Sequence, residues 1–435
     1  MRENRREFLR KSAAAAAGMA SLALPTFVSP SVFGSPQAAA PSDRVRLGFI
    51  GVGNRGGQNV DTFLKMLDRV DIVALCDVDS SHLASTQNKV QKATNKKCVE
   101  YGDYRKLLDD KNIDAVVITT PDHWHALTTI DACRAGKDVY CEKPLTLTIA
   151  EGRAMAQAAR DNKRIVQTGS QQRSEENFRQ ACELVRSGRI GKIHTVRVGI
   201  AGVNFGKKKP IPEGNVPPSE LDYDFWLGPA PFRPYHAKHV HYNFRFFWDY
   251  SGGQMTNWGA HHLDIAQWGL GMDDSGPISA EGTAKYDPQK QFEVPMWSEV
   301  NYEYANGVKI ICGQSQPGGT TFEGADGKIY VSRNVLKVQP EELLKEPLTA
   351  SDVHLYDSKD HHGNWLDCIH SRKLPICDVE IGHRSATVCH LGNIAIRSGK
   401  KIQWDPVKEQ IVGDDEVAKM TSRHYRAPWS LPVTS

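Results

Sequence analysis

Hydrophobic and polar positions along this chain follow two successive patterns. From residue 45 to about 168, short apolar runs of strand type alternate with stretches of helical period. The runs are Val45-Arg46-Leu47-Gly48-Phe49-Ile50, Ile72-Val73-Ala74-Leu75-Cys76, Ala115-Val116-Val117-Ile118-Thr119-Thr120, Asp138-Val139-Tyr140-Cys141 and Ile165-Val166-Gln167-Thr168. Between them Phe63, Leu64 and Leu67 recur on one helix face, and so do Ala126, Ile130 and Cys133, with Gly136 as a stop. A further helix reads from Glu151 to Arg160. Near-continuous apolar strands separated by helices predict a doubly wound α/β domain over residues 43–165.

Beyond residue 165 the strands lengthen and alternate. Segments 193–200, 277–287, 295–305 and 307–316 fit half-buried strands, with Asn306-Gly307 as a hairpin turn. A loop-rich insertion rich in proline and aromatics covers 201–258. A last helix is predicted near 385–398, with Val388, Leu391 and Ala395 on one face and Gly399 as its cap. Residues 166–435 therefore read as an α+β domain on a mostly antiparallel sheet, with His361-His362 in a loop.

The first strand runs into Gly51-Val52-Gly53-Asn54-Arg55-Gly56, which opens a helix, and the second ends at Asp77. Strand, glycine turn, helix, strand and terminal acid form a dinucleotide-binding fingerprint. The glycines let backbone N–H groups at the helix N-terminus meet a pyrophosphate. Asp77 would accept from the ribose hydroxyls and repel a 2′-phosphate, favouring NAD over NADP; Arg55 is the one feature arguing the other way. Thr120, Pro121 and His125 after the third strand, and Glu142 after the fourth, are placed at the cofactor edge.

Composition changes the picture at the ends. Arg5-Arg6-Glu7-Phe8-Leu9-Arg10-Lys11 is a twin-arginine pattern, followed by an uncharged, alanine-rich run to Ser42. It predicts an export signal over residues 1–40, with cleavage after Ala40 or Gly34; a retained N-terminal anchor is the alternative. The route carries folded protein, so a cofactor would be loaded beforehand and held tightly. Five basic and two acidic residues lie in that segment; the remainder carries 49 of each sign. Such balance excludes a nucleic-acid footprint. The nine cysteines form no C-x-x-C pair and predict no disulfide framework.

Lys143, just past a strand end, faces the ligand crevice of such a sheet and suits proton handling. In Asn257-Trp258-Gly259-Ala260-His261-His262-Leu263-Asp264, a helix would set His261 and Asp264 on one face. Tyr242, Arg245 and Trp248, with His262 and Arg173, are candidate substrate contacts, since aromatic faces stack on sugars and the others satisfy hydroxyls. A buried aromatic cluster anchoring the insertion is the competing reading. His236, His239 and His241 lack zincin spacing, so no metal is expected.

Taken together, the Gly51–Gly56 turn, Thr120-Pro121-Asp122-His123-Trp124-His125, Glu142-Lys143-Pro144 and Gly259-Ala260-His261-His262-Leu263-Asp264 resemble the Gfo/Idh/MocA family, that of glucose–fructose oxidoreductase and inositol dehydrogenase. The C-terminal tail looks like that of an exported subgroup. The resemblance implies a Rossmann domain, an open sheet domain that mediates oligomer contacts, and hydride transfer between NAD(P) and a sugar or polyol. It implies Lys143 as catalytic lysine and His261 as catalytic histidine. The family's usual aspartate four residues before that histidine is Asn257 here, an amide that orients without charge.

The expectation is an exported NAD-dependent oxidoreductase acting on a secondary alcohol of a sugar, polyol or glycoside. Lys143 would bind the reacting hydroxyl, His261 take its proton, and Asn257 and Asp264 orient the pair. The alternatives are glycoside cleavage by transient oxidation and elimination, and a non-catalytic sugar-binding protein. No stable membrane span is expected in the mature chain, and a homo-oligomer is.

Overall fold

The computed structural model describes residues 43–205 and 215–432. The expected signal segment and part of the insertion, 206–214, lie outside them. Strands β1 (Val45–Ile50), β2 (Val70–Cys76), β3 (Val99–Tyr101), β4 (Ala115–Ile118), β5 (Asp138–Cys141) and β6 (Val166–Thr168) form a parallel sheet. Their order is β3-β2-β1-β4-β5-β6. All four residues of β4 and of β5 are buried, which is why these runs read as unbroken apolar strands. The order reverses between β1 and β4, so a ligand crevice opens beyond their carboxyl ends. Gly51 and Thr119-Thr120 leave the sheet there. The sheet continues through β6, past the expected boundary at residue 165.

The second sheet has nine strands: β7 (Ile193–Gly199), β8 (Ser279–Lys285), β9 (Trp297–Glu303), β10 (Lys309–Gly313), β11 (Gly319–Gly324), β12 (Lys328–Ser332), β13 (Val335–Gln339), β14 (Ile402–Asp405) and β15 (Gln410–Val412). Its order is β13-β12-β11-β7-β10-β9-β8-β14-β15; β7 and β10 pair in parallel, the other neighbours antiparallel. The sheet is open, with β13 and β15 at its edges. Gly307 takes φ +84 in the β9–β10 turn, where Tyr304 N–H donates to Val308 O at 2.9 Å. A residue with a side chain rarely adopts that backbone.

Helices Gly259–Leu270 and Val379–Ser398 pack on the sheet's inner face. Leu263, Ile265, Val388 and Leu391 share a core with Val196, Val300 and Ile310. The last helix starts well before residue 385 because Asp378 caps it, accepting from Glu380 N–H. His361 and His362 open the helix His361–Ser371, which corrects the loop expectation. That helix forms because Trp365 and Leu366 bury against Phe49 and Phe63 of the first domain. The two domains thus share core. All nine cysteines are buried and free. No helix among the described residues is long and apolar enough to cross a membrane.

Candidate functional site

A cavity of about 830 Å³ occupies the crevice, within the roughly 300–1,000 Å³ range of small-molecule sites. One wall begins with the glycine turn. Gly51 has φ +82, and a Cβ there would lie 2.8 Å from the Thr119 backbone; one at Gly56 would lie 2.0 Å from Gly51 O. Both positions need glycine because β1, β4 and the helix Asn54–Phe63 approach so closely. That helix starts at Gly53 with no side-chain cap, which leaves its first N–H groups for a ligand. Asp77 accepts from Val52 N–H at 2.8 Å and Asp79 N–H at 2.9 Å, and its carboxylate lines the cavity with Asn54, Thr120 and Pro121. Thr120 Oγ1 is buried there with no hydrogen-bond partner among the described residues. A glycine cradle, an uncapped helix start and a carboxylate at the end of β2 fit a dinucleotide.

Arg55 Nε donates to Glu142 Oε1 at 2.8 Å, and Asn59 Nδ2 to the same oxygen at 3.2 Å. Burial would raise the Glu142 carboxyl, but the charges of Arg55 and Lys143 hold it below the usual range. The arginine that argued for a 2′-phosphate is therefore engaged with Glu142. His125 Nδ1 lies 2.8 Å from Pro144 O and Nε2 2.9 Å from Thr120 O. Two carbonyl acceptors require an N–H on each nitrogen. Burial pushes the imidazole down, yet Cys141, Asp122 and the Pro144 carbonyl outweigh it and raise His125 to about 10.

Lys143 projects into the cavity wall and donates from Nζ to Asn257 Oδ1 at 3.0 Å and Asn257 O at 3.3 Å. Asn257 in turn donates to Gln254 Oε1 at 2.9 Å, which fixes its amide with the oxygen toward the lysine. Burial lowers Lys143 to about 8, against the opposing pull of Glu142. Asp122, buried beneath this wall, takes a hydrogen bond from Ser251, and desolvation raises its carboxyl. Tyr242 and Arg245 reach the cavity from the insertion, the guanidinium 4.0 Å from the tyrosine ring centre.

Other expected members are placed differently. Asp264 does not orient His261: Arg173 Nε and Nη2 bind both its carboxylate oxygens at 2.8–3.0 Å, and Ser385 Oγ donates at 2.6 Å. Arg173 is equally committed, its second partner being Asp273 at 2.7 Å, so it is an interior ion pair and not a substrate contact. Trp248 packs under Arg397, whose guanidinium lies 4.7 Å from its ring, away from the cavity. His262 stacks on Trp258 at 5.6 Å, and burial lowers it to about 4. It too stands off the cavity.

His261, expected as the catalytic histidine, is buried and is not among the residues that line the cavity. Its Nδ1 has no partner among the described residues, and its Nε2 faces Arg333 Nη2 at 3.4 Å. Burial, then Lys143 and Arg333, hold its pKa well below 6.5. These surroundings disfavour the imidazolium form of His261. Arg333, from the turn between β12 and β13, also covers Trp258 at 5.1 Å. It was not legible in the sequence, since it meets His261 only through the second sheet. Asp79, His82 and His241 are further unforeseen members of the cavity wall. The Asp79-Ser80-Ser81 helix-cap pattern was the one local signal for any of them.

The description "Oxidoreductase family, NAD-binding Rossmann fold" of GFO_IDH_MocA matches residues 45–170, and "Oxidoreductase family, C-terminal alpha/beta domain" of the same family matches 175–431. The chain belongs to the Gfo/Idh/MocA oxidoreductase family. Residues 45–170 are the family's NAD-binding domain. A glycosyl hydrolase family 109 protein of Shewanella pealeana is 38% identical over 164 residues, 35% of this chain and 36% of that protein. The myo-inositol 2-dehydrogenase of Thermotoga maritima is 34% identical over 156 residues, 35% of this chain and 44% of that protein. These matches span less than half of either relative. The WlbA dehydrogenase of Bordetella pertussis, solved with NADH and UDP-GlcNAcA, shares the fold with a TM-score of 0.62 at 19% identity, over 83% of this chain and 99% of that one.

Proposed function

We propose that this family member is an exported, NAD-dependent oxidoreductase acting on a secondary alcohol of a sugar, polyol or glycoside. The observation that carries the reading is Lys143, lowered to about 8 and held by Asn257 in the cavity that Gly51, Gly53 and Asp77 also line. When bound, the dinucleotide supplies the hydride acceptor. Lys143 in its neutral form binds the reacting hydroxyl and takes its proton; Asn257 keeps Nζ aimed. His261 stays neutral beside Arg333. Tyr242 and Arg245 line the substrate end, and Glu142 fixes Arg55 beside the turn.

Export by the twin-arginine route and an oligomeric state are part of the proposal. Adding a panel of sugars and glycosides to purified protein tests the chemistry. An absorbance band near ~340 nm is expected with the right substrate, as for reduced nicotinamide. Its absence with every sugar, on protein shown to hold NAD, would falsify the reading.

Glycoside cleavage through transient oxidation is the second reading. The likeness to a glycosyl hydrolase family 109 protein favours it. Aglycone release without a persistent absorbance band would support this reading over a net dehydrogenase.

A further inference from the structure

The short 3₁₀ helix His241–Phe246 lines one side of the cavity and connects its two ends. At its start His241 Nε2 lies 3.3 Å from Asp79 Oδ2, and Asp79 N–H donates to Asp77. Near its other end the charge of Arg245 is felt by Lys143 and Asp122, at the end of the cavity assigned to the chemistry. Residues three apart eclipse on a 3₁₀ helix, which sets Arg245 over Tyr242. Its guanidinium lies 4.0 Å from the Tyr242 ring centre and 5.2 Å from that of Phe244. The Tyr242 hydroxyl accepts from Asn204 Nδ2 at 2.7 Å, so the ring that carries the guanidinium is itself held.

The guanidinium is thus fixed through its face. A guanidinium has five N–H donors; here Nη1 donates to Tyr242 O at 2.7 Å, and no carboxylate among the described residues pairs with the group. Neighbouring charges are matched. Arg55 is bound to Glu142 at 2.8 Å, and Asp122 takes a hydrogen bond from Ser251 and faces the His125 cation. Burial lowers Arg245 below the usual arginine value, and the opposing pulls of Tyr242 and Asp122 are too weak to offset it. A desolvated cation without a counter-ion is unfavourable, and an anion bound beside it removes that cost. Lys143 does not compete for the anion in its working form, because it must be neutral to accept a proton.

We infer that Arg245 is a carboxylate-recognition residue and that the substrate is an acidic sugar, a uronic acid or its glycoside. Its carboxylate meets the guanidinium while a ring hydroxyl meets Lys143. The inference rests on the reading of the cavity as the site of an NAD-dependent sugar oxidoreductase and narrows its substrate class. A planar carboxylate matches two parallel N–H donors of a guanidinium. A hydroxymethyl group in the same place would leave the cation uncompensated. One guanidinium balances one negative charge, which suits a carboxylate.

The test uses matched sugars that differ only in the carboxylate: methyl glucuronide against methyl glucoside, with the galacto and manno pairs. Reduction of NAD is followed on the full protein at a pH well above 8, where Lys143 is neutral. The wild type should favour the acidic member of the responding pair in kcat/KM. Arg245→Gln should reduce that preference by about 10–100-fold, mainly through KM, the scale of a hydrogen bond to a charged group. Arg245→Lys, which keeps the charge, should restore part of it. A wild type that prefers the neutral member overturns the inference and leaves the oxidoreductase reading standing. Equal losses on both members in Arg245→Gln also overturn it, by making Arg245 a prop for Tyr242. Weakened NAD binding with an unchanged preference overturns it too, by assigning the guanidinium to the cofactor pyrophosphate. NAD-loaded protein that responds to neither member of any pair, nor to any other sugar, overturns the oxidoreductase reading itself.

Discussion

Lys143 Nζ donates to Asn257 Oδ1 at 3.0 Å, at the position where the family resemblance implies an aspartate. A neutral amide orients the ammonium without stabilising it by charge, and burial is left to lower its pKa to about 8. Asn257→Asp would add an anion at this distance. The lysine pKa should rise by about 1–3 units. The alkaline shift of the pH–rate profile, with a fall in rate at neutral pH, is the measurement.

The role proposed for Lys143 as proton acceptor sets the sign of the native pH dependence. Only the neutral amine accepts, so kcat should climb with pH through about 8 and level off above it. Lys143→Ala should lower kcat by about 10²–10⁴-fold, the usual contribution of a positioned acid or base. NAD binding, followed by fluorescence, should survive. A profile that instead fell across that range would exclude this role.

Arg333 Nη2 stands 3.4 Å from His261 Nε2 and disfavours the imidazolium. Arg333→Gln removes that repulsion, so the His261 pKa should move upward toward the ordinary histidine value. NMR titration of the His261 ring protons reads the shift directly. An unmoved resonance would mean that burial and Lys143 set the value without Arg333.

Arg173 and Asp264 are each 1% exposed at the side chain and bind through two oxygens. Asp264→Asn would leave a buried guanidinium short of charge, and such a loss costs about 3–5 kcal/mol. Urea unfolding should show it. If stability held while turnover collapsed, Asp264 would belong to the chemistry after all.

His125 gives a linkage prediction. Its folded pKa, about 10, lies above the ordinary value of 6.5. The stabilisation it contributes is complete below 6.5 and is lost as pH rises toward 10. His125→Gln should lower Tm most below pH 6.5 and flatten the alkaline limb of a thermal-melt series.

Much of the architecture was legible because its causes are local. β4 and β5 are buried on both faces and so read as unbroken apolar runs. Gly307 sits where a hairpin needs a positive φ. Other elements gave no local sign. β3 is a short edge strand with exposed Val99 and Glu100, and the helix His361–Ser371 is held by Trp365 packing against a distant domain. Among site residues, Gly51, Gly53, Asp77, Lys143 and Asn257 line one cavity. Arg173, Asp264, Trp248 and His262 do not, because helical spacing fixes which side a residue leaves on but not what meets it there.

By itself the sequence determined the βα alternation, the antiparallel second half and the chemistry of the cofactor cradle. Each depends on residues close together in the chain, whose periodicity or freedom from a side chain acts over a few ångströms. Only the tertiary structure decided that Asp264 pairs with Arg173, that Arg333 confronts His261, and that His241 returns to Asp79. Those pairings join residues far apart in sequence. They are set by how two sheets and an insertion share one core, since a buried charge goes to whichever partner packing brings within reach.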